Sequence, residues 1–327
     1  MSTQPPQPGA ASRAGSQAAS PAASPAGGQA ADSVRSGVLL GASAYLIWGL
    51  LPLFLRLLAG VAPAQIVAHR VLWSLALLAT IALIGGRFGG LAAAVRRPRV
   101  LPFLCATATL IAINWLIYAW AVLNHHVIET SLGYFINPLL SVVLGVVILK
   151  ERLRPAQMVA VGAAAIGVAI MAVGQGAALW ISLGLALSFG GYGLLRKMAP
   201  VDAFDGLTIE SALLAPFAVA LLLWASQAGQ NAWGESMSRD MLLIASGPIT
   251  AAPLILFAAA AKRMRLATLG LLQYIAPTLQ FLQGWLLFGE RLTTTHLVTF
   301  GFIWLGLALY AVDGVRTARA VPPMMPD

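Results

Sequence analysis

The 327-residue chain is 59% hydrophobic and only 9% charged, with a mean hydropathy of +0.83. Soluble domains carry about 25% charged residues, so no ordinary water-facing surface can be built, and the chain reads as an all-α, polytopic membrane protein. The net charge of +9 sits in short tufts between long apolar runs, which argues against nucleic-acid binding, and the one cysteine, Cys105, excludes an intrachain disulfide.

Residues 1–35 form the first zone. Within 1–33 only Met1, Thr3, Arg13 and Asp32 fall outside the set Ala, Ser, Pro, Gly and Gln. Such a segment buries too little apolar surface to offset its ordering entropy, so it reads as a disordered cytoplasmic tail. It lacks the compact apolar core of a signal peptide. From Gly37 onward ten apolar spans follow, at roughly 37–58, 64–84, 100–123, 128–149, 155–173, 177–195, 206–226, 241–261, 266–288 and 294–312. Each is near the ~20 residues that a bilayer requires. The connections are short, which leaves no room for a soluble domain, and a short cytoplasmic tail, 316–327, closes the chain.

Polar residues inside the spans are the candidates for function. His69 and Arg70 lie about five residues into the second span, roughly 8 Å deep. An arginine there either snorkels outward or turns inward to hold an anionic group or a carboxylate. Glu129 opens the fourth span on the same side, so an Arg70–Glu129 pair is sterically open to them; alone, Glu129 is either a partner for the helix N-terminal dipole or a functional carboxylate. Asn114, Trp115, Tyr118 and Trp120 cluster in the third span. Tyr134 and Asn137 precede the kink-prone Pro138, and Gln273, Tyr274, Gln280 and Gln283 surround Pro277. Amides in lipid need partners, so these residues face the bundle interior, as cavity lining or as glue between helices. Ser188 and Tyr192, beside Gly190, Gly191 and Gly193, carry the same two readings.

Glu210, near the inner end of the seventh span, is either a proton-carrying site or a solvated carboxylate. His125 and His126 before Glu129 more often meet headgroups than a metal, so no metal site is expected. The carboxylates do not cluster as a metal-dependent membrane enzyme would need. No G-x-x-x-x-G-K-[ST] loop supplies an ATP motor, and no cofactor is expected.

With the N-terminus inside, sixteen of the twenty Lys and Arg residues fall on the inner side and four (Arg56, Arg70, Arg239 and Arg291) on the outer, which places both termini in the cytoplasm. The fourth and ninth spans match at an offset of 139: Leu132/Leu271, Ile136/Ile275, Pro138/Pro277, Leu140/Leu279, Gly145/Gly284 and Glu151-Arg152-Leu153/Glu290-Arg291-Leu292. A second echo, at 141, pairs Gly49 with Gly190 and Arg56 with Lys197. Two five-helix repeats, 36–173 and 174–315, must then insert in opposite directions because five is odd. Inverted repeats mark secondary transporters, in which a midplane site alternates between two faces.

The stretches Tyr45-Leu46-Ile47-Trp48-Gly49, Ala68-His69-Arg70-Val71-Leu72-Trp73-Ser74, Asn124-His125-His126, Ser131-Leu132-Gly133-Tyr134-Phe135-Ile136-Asn137-Pro138 and Gln273-Tyr274-Ile275-Ala276-Pro277-Thr278-Leu279 resemble the RarD proteins. These form part of the EamA branch of the drug/metabolite transporter superfamily, and the resemblance spans roughly 35–315. It implies a ten-helix bundle of two inverted repeats in the bacterial inner membrane, with a permease role. One departure is Gln65, where that family carries Glu. The expected activity is secondary-active transport of small metabolites or drugs, with a passive channel as the alternative. Its expected partners are a small-molecule substrate and the lipid bilayer, and a homodimer is allowed. The substrate-site candidates are His69, Arg70, Asn114, Tyr118, Glu129, Tyr134, Asn137, Tyr192, Gln273 and Tyr274; the ion-coupling candidates are Glu129 and Glu210.

Overall fold

The computed structural model describes residues 25–150, 155–174, 176–261, 263 and 272–320, and among these no strand occurs. In hydrocarbon, helices satisfy the backbone without a neighbouring chain, and the apolar runs become helices almost throughout. They are α1 (Pro25–Leu57), α2 (Pro63–Ile84), α3 (Phe88–Val95), α4 (Val100–Leu123), α5 (Val127–Leu149) and α6 (Pro155–Gly174). Then come α7 (Gly176–Met198), α8 (Ala203–Gln227), α9 (Met237–Ala261), α10 (Ile275–Leu282) and α11 (Thr294–Ala320). A π turn, Gln283–Leu287, continues α10. Prolines open α2 and α6, where the missing N–H costs nothing. Asp202 caps α8 by accepting from the Asp205 N–H at 2.8 Å.

Six helical stretches among the described residues are long and apolar enough to cross a membrane: Arg35–Leu57, Pro63–Ile84, Val100–Leu123, Ala178–Arg196, Ala203–Gln227 and Met237–Phe257. Met158–Val173 and Thr294–Leu309 are shorter apolar stretches. The chain is a multi-pass helical membrane protein.

Successive long helices reverse direction, so connections gather at two ends. At the Arg56 end, the Arg56 side chain bonds His125 at 2.7 Å. Gln65 holds the α8–α9 connection there, donating to the Gln230 carbonyl at 2.6 Å and accepting from the Ala232 N–H at 3.0 Å. That double role needs an amide, which explains how glutamine serves where a carboxylate could only accept. At the Arg87 end, Arg87 bridges Asp202 at 2.7 Å and Asp205 at 3.0 Å.

Between the ends, α2 packs against α8 and α9, α1 against α9 and α10, α5 against α7, and α6 against α11. Two close approaches repeat one another. A methyl group on Gly49 of α1 would lie 2.7 Å from Cδ1 of Leu279 on α10. One on Gly190 of α7 would lie 2.9 Å from Cδ2 of Leu140 on α5. A side chain at either glycine would have to push a leucine methyl aside, and the sequence-matched pairs Gly49/Gly190 and Leu140/Leu279 meet crosswise in space.

Several expectations require correction. Helix α1 starts at Pro25, so the tail expected to be disordered over 1–35 is helical in its last part; Ala26, Ala30 and Ala31 favour helix and extend the span behind a permissive first-turn proline. Helix α11 likewise runs five residues into the expected tail 316–327, to Ala320. The short helix α3 occupies the connection between the second and third expected spans. The ninth span does not run as one α-helix to 288, because it widens into the π turn. There the Gln283 amide donates to the Gly49 carbonyl at 2.6 Å and to the Leu279 carbonyl at 2.9 Å. Residues 1–24, Glu151, Arg152, Leu153 and Leu271 lie outside the described residues.

Candidate functional site

On α2, Arg70, Ser74, Leu78 and Ala82 recur every fourth residue and are buried. Ser74 donates to the Gly247 carbonyl at 3.2 Å, and Arg70 Nε donates to Thr250 Oγ1 at 2.9 Å, both on α9. The guanidinium carbon of Arg70 stands 4.9 Å from the ring centroid of Trp115 on α4, a cation–π distance. Arg70 is only 3% exposed, and its Nη1 finds no hydrogen-bond partner.

Around it, α4 and α5 supply the rest of a central cluster. Tyr134 donates to Asn114 Oδ1 at 3.1 Å, and the Asn114 amide donates to Ser188 at 3.0 Å and to the Leu185 carbonyl at 3.2 Å on α7. The rings of Tyr118 and Tyr134 lie 5.7 Å apart, and the hydroxyls of both are within electrostatic reach of Arg70. The Tyr118 hydroxyl is buried without a partner. Arg70, Asn114, Tyr118 and Tyr134 therefore form one buried cluster in the bundle interior.

The expected Arg70–Glu129 pair does not form. Both helices start at the Arg56 end, but Arg70 is seven residues past Pro63 and Glu129 two past Val127. At 1.5 Å per residue the two differ in depth by about 7.5 Å. Glu129 instead faces His126 Nδ1 at 3.5 Å and His296 Nε2 of α11 at 3.8 Å. These three line a cavity of about 330 Å³ together with His125, Glu290 and Arg291. Glu290 caps α5 from that cavity, accepting from the Val127 and Ile128 N–H groups at 2.9 and 2.8 Å. Burial raises the Glu290 carboxyl above its ordinary 4.5, with the two N–H bonds opposing and the neighbouring Glu129 adding to the rise.

Toward the Arg87 end, Glu210 is 1% exposed, so the solvated reading is set aside. It accepts from Thr107 of α4 at 2.6 Å and from Tyr192 of α7 at 3.3 Å, and Arg196 stands 3.7 Å away. Tyr192 thus belongs to the Glu210 cluster, apart from Arg70. Nearby, burial disfavours the Asp202 carboxylate, but the Asp205 N–H and Arg87 outweigh it and hold the group below the usual range.

The remaining candidates lie elsewhere. His69 stacks on Trp233 at 5.5 Å and opens onto a groove of about 480 Å³ with Trp73 and Leu222, beside the Arg70 cluster. Tyr274 stacks on Phe135 at 6.4 Å, Asn137 is buried, and Gln273 is half-buried at the foot of α10. Sequence reasoning missed Thr250 and His296. A threonine in an apolar helix carries little signal, whereas a histidine in the first turn of the last span stood open to the same argument as Glu129.

An apolar helical bundle with a buried cation among aromatic and amide side chains has the make-up of a membrane transporter. The EamA-like transporter family model matches residues 35–173. The chain is 46% identical to an uncharacterized transporter of Pseudomonas aeruginosa, over 90% of this chain and 99% of that one. It is 43% identical to the protein RarD of Streptomyces exfoliatus (89% and 92% covered) and 42% to that of Escherichia coli (88% and 98%). The chain belongs to the RarD proteins of the EamA family. A solved protein structure 20% identical to it shares the fold, with a TM-score of 0.57 over 86% of this chain and 99% of its own.

Proposed function

We propose that the protein is a secondary-active transporter of small metabolites or drugs, working by alternating access and coupled to an ion gradient. In this reading ten spans form two inverted five-helix repeats in the bacterial inner membrane, with the Arg87 end and both termini in the cytoplasm. The observation that carries it is the crosswise pair of contacts, Gly49–Leu279 and Gly190–Leu140. Each couples a helix of one half to a helix lying 139 or 141 residues from its counterpart, as two structurally equivalent halves require. The central cluster of Arg70, Asn114, Tyr118 and Tyr134 is the substrate site, open in turn to either face.

Coupling falls to two carboxylates, one toward each face. Glu129 beside His126 and His296 is reached from the Arg56 end, and Glu210 beside Arg196 from the Arg87 end. A carboxylate carries a proton when its partner changes between conformations. The test is solute uptake by proteoliposomes under an imposed proton gradient. Accumulation above equilibrium that collapses with the gradient is expected; uptake that only equilibrates makes the protein a passive facilitator.

A further inference from the structure

Among the described residues the charge of Arg70 has no counter-charge, and this sets the chemistry of what it binds. The carboxylates whose surroundings are described are engaged elsewhere: Glu129 with histidines, Asp202 and Asp205 with Arg87, Glu210 with Arg196, Glu235 with Arg239, and Glu290 with the start of α5. Asp240 accepts from the Gly234 N–H on the α8–α9 connection. Among the described residues, Arg70 meets a threonine hydroxyl, a tryptophan face and the neighbouring tyrosines, none of them an anion. A cation inside an apolar bundle is tolerated when something negative meets it.

Two donors point to the shape of that group. Arg70 Nη1 and the Tyr118 hydroxyl are both without partners, and their residues are 3% and 2% exposed. One positive charge with two free donors matches a single carboxylate, which offers two oxygens and one negative charge. A dianion such as phosphate would bring a second charge with nothing to meet it. Past the donors the walls are rings: Trp115, Tyr118, Tyr134 and, 5.9 Å from Tyr134, Phe189. Rings accept a flat or apolar body and offer nothing to a second charged group.

The geometry points to a substrate that is a small organic monocarboxylate with an apolar or aromatic body, its carboxylate on Arg70 and Tyr118 and its body against Trp115, Tyr134 and Phe189. This assignment rests on the central cluster being the substrate site. Binding requires α2 and α9 to part from α4, since the donors are closed over in this conformation.

The test is equilibrium binding, without any gradient, to purified protein in nanodiscs. Thermal stabilisation is measured with benzoate, phenylacetate, hexanoate and lactate, each beside its primary amide. Carboxylates are expected to stabilise the protein and amides not. Tyr118→Phe, which removes only a hydroxyl, and Arg70→Lys should each weaken binding, and Arg70→Gln should weaken it by about tenfold or more. If Arg70→Gln does not fold, the carboxylate-to-amide comparison and Tyr118→Phe decide. Equal stabilisation by amides, unchanged binding in Tyr118→Phe, or no stabilisation by any carboxylate overturns the assignment. Carboxylate binding without accumulation in proteoliposomes would overturn the transport reading and leave the anion site standing.

Discussion

Arg70 and Glu210 hold the same place in two helices: 70 minus 63 and 210 minus 203 both equal seven, counted from the first residues of α2 and α8. Each bonds a threonine from the opposite half of the chain, Arg70 to Thr250 and Glu210 to Thr107. One position thus carries a cation toward one end of the bundle and an anion toward the other. Among the described residues only the anion has an ionic partner, Arg196.

That ion pair should show in a double-mutant cycle. Glu210→Gln and Arg196→Gln each leave a charge in poor surroundings, and breaking a buried pair costs about 3–5 kcal/mol; Arg196 keeps some exposure, so the low end applies. The double replacement is expected to cost less than the sum of the singles. Strict additivity in detergent-solubilised thermal unfolding would mean that the two charges do not interact.

Arg70 and Glu129 should behave in the opposite way. They share no partner, so Arg70→Ala and Glu129→Ala are expected to add within about 0.5 kcal/mol. A large coupling would restore the pair that their shared end of the membrane suggested.

The crosswise glycines give a matched prediction. Gly49→Leu and Gly190→Leu both drive a side chain into a leucine, and overpacking of this kind costs about 1–3 kcal/mol or more. Similar losses of melting temperature are expected at the two sites. A neutral replacement at either one would break the equivalence.

Glu290→Ala removes the α5 cap and should cost about 1 kcal/mol. The pH dependence has a definite sign. Because the folded carboxyl titrates above 4.5, the native state holds its proton longer than the unfolded chain. The stability contributed by that proton is complete below 4.5 and is lost as pH rises through the folded value. Glu290→Gln cannot titrate, so melting curves taken from pH 4.5 upward should fall less steeply for it than for the native protein. Parallel curves would remove Glu290 as the source.

Orientation is checked by labelling in intact cells. In a Cys105→Ser background, an impermeant maleimide should modify Asn124→Cys at the Arg56 end and spare Arg97→Cys at the Arg87 end. The reverse pattern would invert the topology.

The helices were legible because apolar runs of membrane length have one solution in hydrocarbon, and the inward turn of Asn114 and Tyr118 because polar groups in lipid need partners. Depth was harder to read. Arg70 and Glu129 both lie toward the Arg56 end, yet five residues of difference in their distance from the helix starts separate them by more than a turn. Partners that arrive from distant sequence, such as Thr250 for Arg70 and His296 for Glu129, depend on which helices touch, and span periodicity carries no information on that. The π turn was likewise hidden, because its cause is a glutamine reaching the Gly49 carbonyl on another helix.

That turn bears on how the molecule changes shape. Residues 144–148, which match Gln283–Leu287 at the 139-residue offset, are plain α-helix at the end of α5. Equal lengths of related sequence therefore adopt two windings within one molecule. If the halves exchange roles during transport, the wide winding should move to 144–148 while 283–287 tightens, and the two segments become a pair of reciprocating springs. Hydrogen exchange under conditions that favour each facing state would then show protection falling in one segment as it rises in the other; constant protection in both would fix the turn as a static feature of the fold.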